Sequence, residues 1–179
     1  MSTMRFETSL FTIHTWTILL LPLEVSKQLP SRNIAMVKGT INNFPFEGVL
    51  EPDGNGSHWL DVDKALQANA HIKPGDTVSV SLEPTKEWIE PTIPSDVTQA
   101  LKTHKQANET WQKVTPMARW EWLRWIRATN NTETRSRRIE VACSKLQSGM
   151  RRPCCFNTSA CTVTEVSRNG ALIVPTLQM

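Results

Sequence analysis

Between Pro91 and Pro94 the sequence changes its period, and that change constrains the fold more than any single motif does. Upstream, short runs of β-branched and apolar residues are separated by turn clusters; downstream, apolar residues recur at three- and four-residue spacing. A chain split in this way is α+β, with strands first and helices second.

The upstream part predicts strands over 15–20, 35–41, 44–50, 57–62 and 77–82. Asn42-Asn43 offers a hairpin turn whose residues tolerate positive φ, and Asp53-Gly54-Asn55-Gly56 and Lys73-Pro74-Gly75-Asp76 supply two further turns. Val78, Val80 and Leu82 alternate onto one face. Short strands with regularly spaced turns suggest a small closed or nearly closed barrel, with 63–70 as a helical turn across one end. The apolar run 16–23 contains Pro22 and falls far below the roughly 18 residues that span a bilayer. It also has no basic start and no small-residue cleavage site, so it reads as a strand rather than a targeting signal.

Downstream, Ser95 is placed to cap a helix carrying Val97, Ala100, Leu101, His104 and Asn108 on one stripe. Thr115 before Pro116 starts the next. A third runs over about 132–149, where Ile139, Ala142, Cys143 and Leu146 repeat at helical spacing and Gly149 supplies the stop. In the tail, 163–166 and 171–174 flank Asn169-Gly170 and suggest one more hairpin. The expected organisation is a small β-barrel over 1–90, a segment of about three helices over 91–152, and a tail over 153–179.

Charge sharpens the division. Residues 1–95 hold 7 Lys+Arg against 11 Asp+Glu, 96–152 hold 12 against 5, and the remainder 1 against 1, so the net of +3 conceals a basic middle. The overall 39% hydrophobic and 21% charged composition is that of a globular protein. Four cysteines, two of them adjacent at Cys154 and Cys155, do not make the framework of a small secreted domain. Reduced thiols and a cytoplasmic location fit better.

Two sets of residues resemble known families. Met36-Val37-Lys38-Gly39-Thr40-Ile41-Asn42, Phe44-Pro45-Phe46, Leu50-Glu51-Pro52-Asp53-Gly54, His58-Trp59-Leu60 and Gly75-Asp76-Thr77-Val78 resemble a bacterial small β-barrel family of unknown function. Ile93-Pro94 to Leu101, Trp125-Ile126 and Glu133-Thr134-Arg135-Ser136-Arg137-Arg138-Ile139 are similar to the YdeI/OmpD-associated helical family, also labelled bacteriocin-protection. Together they cover roughly Thr15 to Arg152. The resemblance implies a double-split β-barrel followed by a helical appendage in a bacterial protein, and carries over no catalytic residue. Asn43 stands where the hairpin would be expected to hold Gly, a change that Asn tolerates at small cost.

Candidate binding residues lie mainly in the basic segment. On the second helix Trp120, Arg124 and Arg127 share one side, opposite Ala118, Trp122, Trp125 and Thr129. An exposed ring beside two guanidinium groups would suit phosphates or stacked bases; the plain structural reading packs Trp120 inward and leaves the arginines as a solvated rim. Arg135 lies on the apolar stripe of the third helix, so it needs either a carboxylate partner or an anion held with the helix's free amides; Arg138 extends this basic face. His58 and Trp59 are candidates for a ligand site at the barrel mouth, though packing explains them as well. Cys154, Cys155 and Cys161 match no common zinc spacing, and no metal or other cofactor is expected.

The four histidines are scattered, and no nucleophile-elbow, zinc-protease or phosphate-loop pattern occurs. The leading reading is therefore non-enzymatic: a binding or stress- and bacteriocin-protection protein that meets an anionic or protein partner through its basic helices. A nucleic-acid-binding protein is the alternative, and a small-ligand carrier or enzyme with a site near His58 and Trp59 is the third.

Overall fold

The structure is a computed structural model that describes residues 2–154 and 156–175. It divides into two compact units. The first takes in the described residues up to Glu87, Thr158–Cys161 and those from Glu165 on; the second comprises Trp88–Asn157, less Cys155, with Thr162–Thr164.

The first unit is a seven-stranded antiparallel sheet in the order β1-β7-β4-β5-β6-β3-β2. Its strands are β1 (Met4–Ser9), β2 (Phe11–Ile13), β3 (Trp16–Leu20), β4 (Ala35–Ile41), β5 (Phe44–Pro52), β6 (His58–Asp61) and β7 (Thr77–Pro84). The two outer strands, β1 and β2, are separated in the chain by Leu10 alone. Laid flat at about 4.8 Å per strand, those edges would lie about 29 Å apart, and one residue cannot span that. The sheet is therefore curled on itself, and Thr8 Oγ1 of β1 donates to the Leu20 carbonyl of β3 at 3.1 Å. Gly39 permits the tightest approach, since a Cβ there would stand 1.8 Å from the Ser81 carbonyl oxygen.

Alternation fills the interior. Leu19, Ala35, Val37, Ile41, Leu50, Leu60, Val78, Val80 and Leu82 form one apolar cluster with Met4, Leu10 and Leu21. The Asn42-Asn43 hairpin is as expected, with both residues at positive φ (48° and 68°). That two-residue turn pairs Ile41 with Phe44 and puts Thr40 opposite Pro45. Strands β1 and β2 were not foreseen: the partner of β1, β7, lies some seventy residues away, and β2 is only three residues long, hairpinned onto β3 through His14 at positive φ. Helix α2 (Lys64–Ala70) is capped by Asp63, whose side chain accepts from Leu66 N; the short α1 (Leu23–Ser26) follows β3.

The second unit holds α3 (Ser95–Thr103), α4 (Lys105–Lys113), α5 (Pro116–Arg127) and α6 (Thr132–Gln147). What reads in sequence as one stripe from Val97 to Asn108 is thus two helices. They break at His104 (φ −109°, ψ 84°), whose Nδ1–H donates to the Ala100 carbonyl at 2.8 Å. Ser95 is not the cap of α3; it is already helical, and the side chain of the flanking Pro94 has no hydrogen-bonding group to offer. Thr115 and Asn131 do cap α5 and α6, accepting from Ala118 N and Thr134 N. Trp122 and Trp125 meet edge to face within the helical unit's own cluster, with Trp111, Leu123, Ile126, Ile139 and Leu146.

The tail hairpin forms at Asn169-Gly170, as β8 (Ser167–Arg168) and β9 (Ala171–Leu172). A two-residue turn must pair the residues that flank it, which is why Arg168 meets Ala171 and the ladder sits closer to the turn than the apolar runs suggested.

Candidate functional site

Helix α5 carries the Trp120, Arg124 and Arg127 set, and none of its residues is fully exposed. Two segments remote in sequence border the side that holds Trp120, Arg124 and Arg127. Trp120 is half-buried, with its indole N–H donating to the Ile89 carbonyl at 2.9 Å. Arg124 is fully buried; its Nη1 pairs with Glu121 at 3.2 Å, and its guanidinium carbon stands 6.0 Å from the Phe156 ring centroid. Arg127 is half-buried and donates from Nε to Thr162 Oγ1 at 3.1 Å. The expected exposed ring beside two free guanidinium groups is therefore not what α5 presents. Segment 88–90 and residues 156 and 162 border a face that a single-helix wheel leaves open to solvent.

The third-helix arginines are also engaged. Arg135 makes a two-pronged bond to Asp96 of α3, Nε to Oδ2 at 2.8 Å and Nη2 to Oδ1 at 3.0 Å. This is the carboxylate partner its position required. The hydrogen bonds from Arg135 hold the Asp96 carboxyl below its ordinary pKa, outweighing the opposing effect of burial. Arg138 is half-buried, donates from Nη1 to the Trp125 carbonyl at 2.8 Å, and stacks 5.6 Å from that ring's centroid. Arg119, unremarked in the sequence, grips both oxygens of Glu90 at 2.6 and 2.7 Å.

The helical unit thus spends carboxylates internally. Asp96 holds Arg135, Glu121 holds Arg124, Glu90 holds Arg119, and Glu140 lies 3.6 Å from His104. Lys102, Lys105, Lys113, Arg137, Arg151 and Arg152 are exposed. Arg151 and Arg152 follow the third helix and carry no periodic signal, so the sequence alone does not single them out.

His58 and Trp59 lie in the interior of the β unit, 1% and 0% exposed. His58 Nε2 sits 2.7 Å from the Asn33 carbonyl, so that nitrogen must carry a hydrogen. In the neutral ring Nδ1 then accepts from Ser26 Oγ at 2.7 Å, and Arg32 donates to both the hydroxyl and the carbonyl of Ser26. The serine beside this histidine is itself 0% exposed, so no substrate reaches it as a nucleophile. Trp59 meets Trp16 edge to face at 6.2 Å. Neither side chain opens onto a barrel mouth.

The family model described as "Bacteriocin-protection, YdeI or OmpD-Associated" matches residues 90–149, and the one described as "Domain of unknown function (DUF1905)" matches residues 5–82. The chain is similar to each family over the stretch matched. No curated protein matches it. The YdeI/OmpD-associated match spans α3 to α6, and the DUF1905 match runs from within β1 to within β7.

Within the YdeI/OmpD-associated match Cys143 is buried on α6; burial pushes its thiol pKa up, and the nearby Glu140 charge adds to the effect. Such a thiol is a small hydrophobe rather than a nucleophile. Cys154 is exposed and receives the Lys145 ammonium at 3.3 Å, Cys161 is buried, and Cys155 lies outside the described residues. Among the described residues no cluster of His, Cys, Asp or Glu comes together as a metal site, and no helix is long and apolar enough to cross a membrane.

Proposed function

We propose that this chain is a non-enzymatic binding protein, of the protective kind named in the description of the helical family it matches, and that it works in the cytoplasm by engaging an anionic partner through the helical unit. The observation that supports this is the internal use of the unit's carboxylates described above. With Asp96, Glu121 and Glu90 paired to Arg135, Arg124 and Arg119, the exposed cations Lys102, Lys105, Lys113, Arg137, Arg151 and Arg152 outnumber the unit's remaining carboxylates, Glu109, Glu133 and Glu140. A field of one sign on a folded surface attracts the opposite charge and speeds its capture.

The contact in this reading is made by exposed cations, not by the α5 residues, which hold the unit together. Binding of fluorescent anionic probes, an acidic peptide and an oligonucleotide, should be measurable at low salt and should weaken steadily as salt is raised. Absence of binding to either probe at low salt would remove the reading. The reading with a ligand or substrate at His58 and Trp59 draws no support from two side chains that are essentially inaccessible.

A further inference from the structure

Helix α6 ends in a turn that displays side chains rather than burying them. Gly149 takes a left-handed conformation (φ 92°), and the N–H groups of Gly149 and Met150 return to the carbonyls of Leu146 and Lys145, both at 2.9 Å. The chain then runs beside α5. Trp122 Nε1 donates to the Arg151 carbonyl at 3.0 Å, Arg152 Nη2 lies 3.5 Å from Met117 Sδ, and Lys145 Nζ reaches Cys154 Sγ. With the backbone pinned, Met150, Arg151 and Arg152 point their side chains outward; Met150 is among the few large apolar side chains left exposed, at 36%.

We infer that Lys145, Met150, Arg151 and Arg152 form a docking surface for a short acidic polypeptide segment that carries an apolar side chain. The inference rests on the anionic-partner reading above and names the partner's chemistry. Lys145 alone would be explained as a cation at the negative end of α6. Arg151 and Arg152 lie beyond the helix and outside that account.

Two observations favour a polypeptide over nucleic acid. No aromatic ring of the helical unit is fully exposed among the described residues, which disfavours base stacking: Trp125 lies under Arg138 and Phe156 near Arg124. An exposed methionine among cations offers an adaptable apolar contact that a phosphate backbone does not use. On α6 itself Glu140, 3.6 Å from His104, lies about 7.5 Å along the helix from Lys145 and Glu133 about 18 Å, at 1.5 Å per residue, and no carboxylate follows Lys145 on the helix.

The test uses the full chain and three labelled probes: a twelve-residue Glu/Asp peptide with a central Leu, the same peptide with Ser for Leu, and a single-stranded oligonucleotide of equal charge. The Leu peptide should bind most tightly. Arg151→Glu with Arg152→Glu should weaken it by about tenfold or more, and Met150→Ser should remove its advantage over the Ser peptide. Lys102→Glu with Lys105→Glu imposes the same charge change elsewhere on the unit and should cost no more than about threefold. Melting temperatures of all variants should match wild type, since every site is exposed. Preference for the oligonucleotide, or equal losses in the two charge-reversed variants, would overturn the inference while the anionic-partner reading survived. No binding of any probe would overturn both.

Discussion

The two units bury polar groups by different routes. In the β unit they are satisfied largely by backbone: His58 on the Asn33 carbonyl, Ser57 on the Leu21 carbonyl, Gln67 on the Val62 carbonyl, and Asp53 on the amides of Asn55 and Ser57. In the helical unit Glu121 and Arg124 are buried and bonded to each other. The difference follows from how each element treats its own backbone. A curled sheet with many turns leaves N–H and C=O groups that side chains must meet, whereas a helix consumes its own. A buried charge on a helix is therefore left to find another side chain.

The comparison breaks first at Arg124. Replacing it by Ala removes the guanidinium beside Glu121 and should cost about 3–5 kcal/mol, read by denaturant unfolding. Replacing both, Glu121→Leu with Arg124→Met, should recover much of that loss, because a buried pair is costly mainly when halved. A single substitution that changes stability by less than about 1 kcal/mol would show that the pair is not buried as described.

In the β unit the losses should be smaller. His58→Phe keeps the volume but leaves the Asn33 carbonyl and the Ser26 hydroxyl without the ring nitrogens, and should cost about 1–3 kcal/mol. Ser57→Ala should cost about 1 kcal/mol through the Leu21 carbonyl. If these exceeded the loss at Arg124, the contrast between the units would be reversed.

How much of this was readable beforehand depended on range. Asn42-Asn43, Asn169-Gly170, Thr115-Pro116 and Gly149 act through the residues beside them, and each marks a turn, start or stop that the structure contains. Arg135 was legible too, because a charge on an apolar stripe demands a partner, although the stripe could not name Asp96. The face of α5 was misread because a helical wheel reports sides and not neighbours; Ile89, Phe156 and Thr162 border it from both ends of the unit's chain. The Ser26, Asn33 and His58 network was invisible for the same reason, its members being spread over 32 residues.

The smallest expected effect concerns acid. Arg135 holds the folded-state pKa of Asp96 below its ordinary value, so this pair contributes stability above that value and loses it as pH falls through the lowered one. Asp96→Asn should be less stable than wild type at neutral pH, and the gap should close below the ordinary aspartate value of about 3.9. With the pair partly exposed, solvent screening keeps the gap small. A gap that widens in acid would contradict the assignment.

The central claim is that the helical unit's inner charges hold it together while its outer charges bind. The most direct measurement compares acidic-peptide binding at low salt for Glu121→Leu/Arg124→Met and for Arg151→Glu/Arg152→Glu, each first checked for an intact fold. The account predicts near wild-type affinity for the inner pair and a loss of about tenfold or more for the outer pair. Loss of binding in the inner variant, with the outer one unaffected, would contradict it.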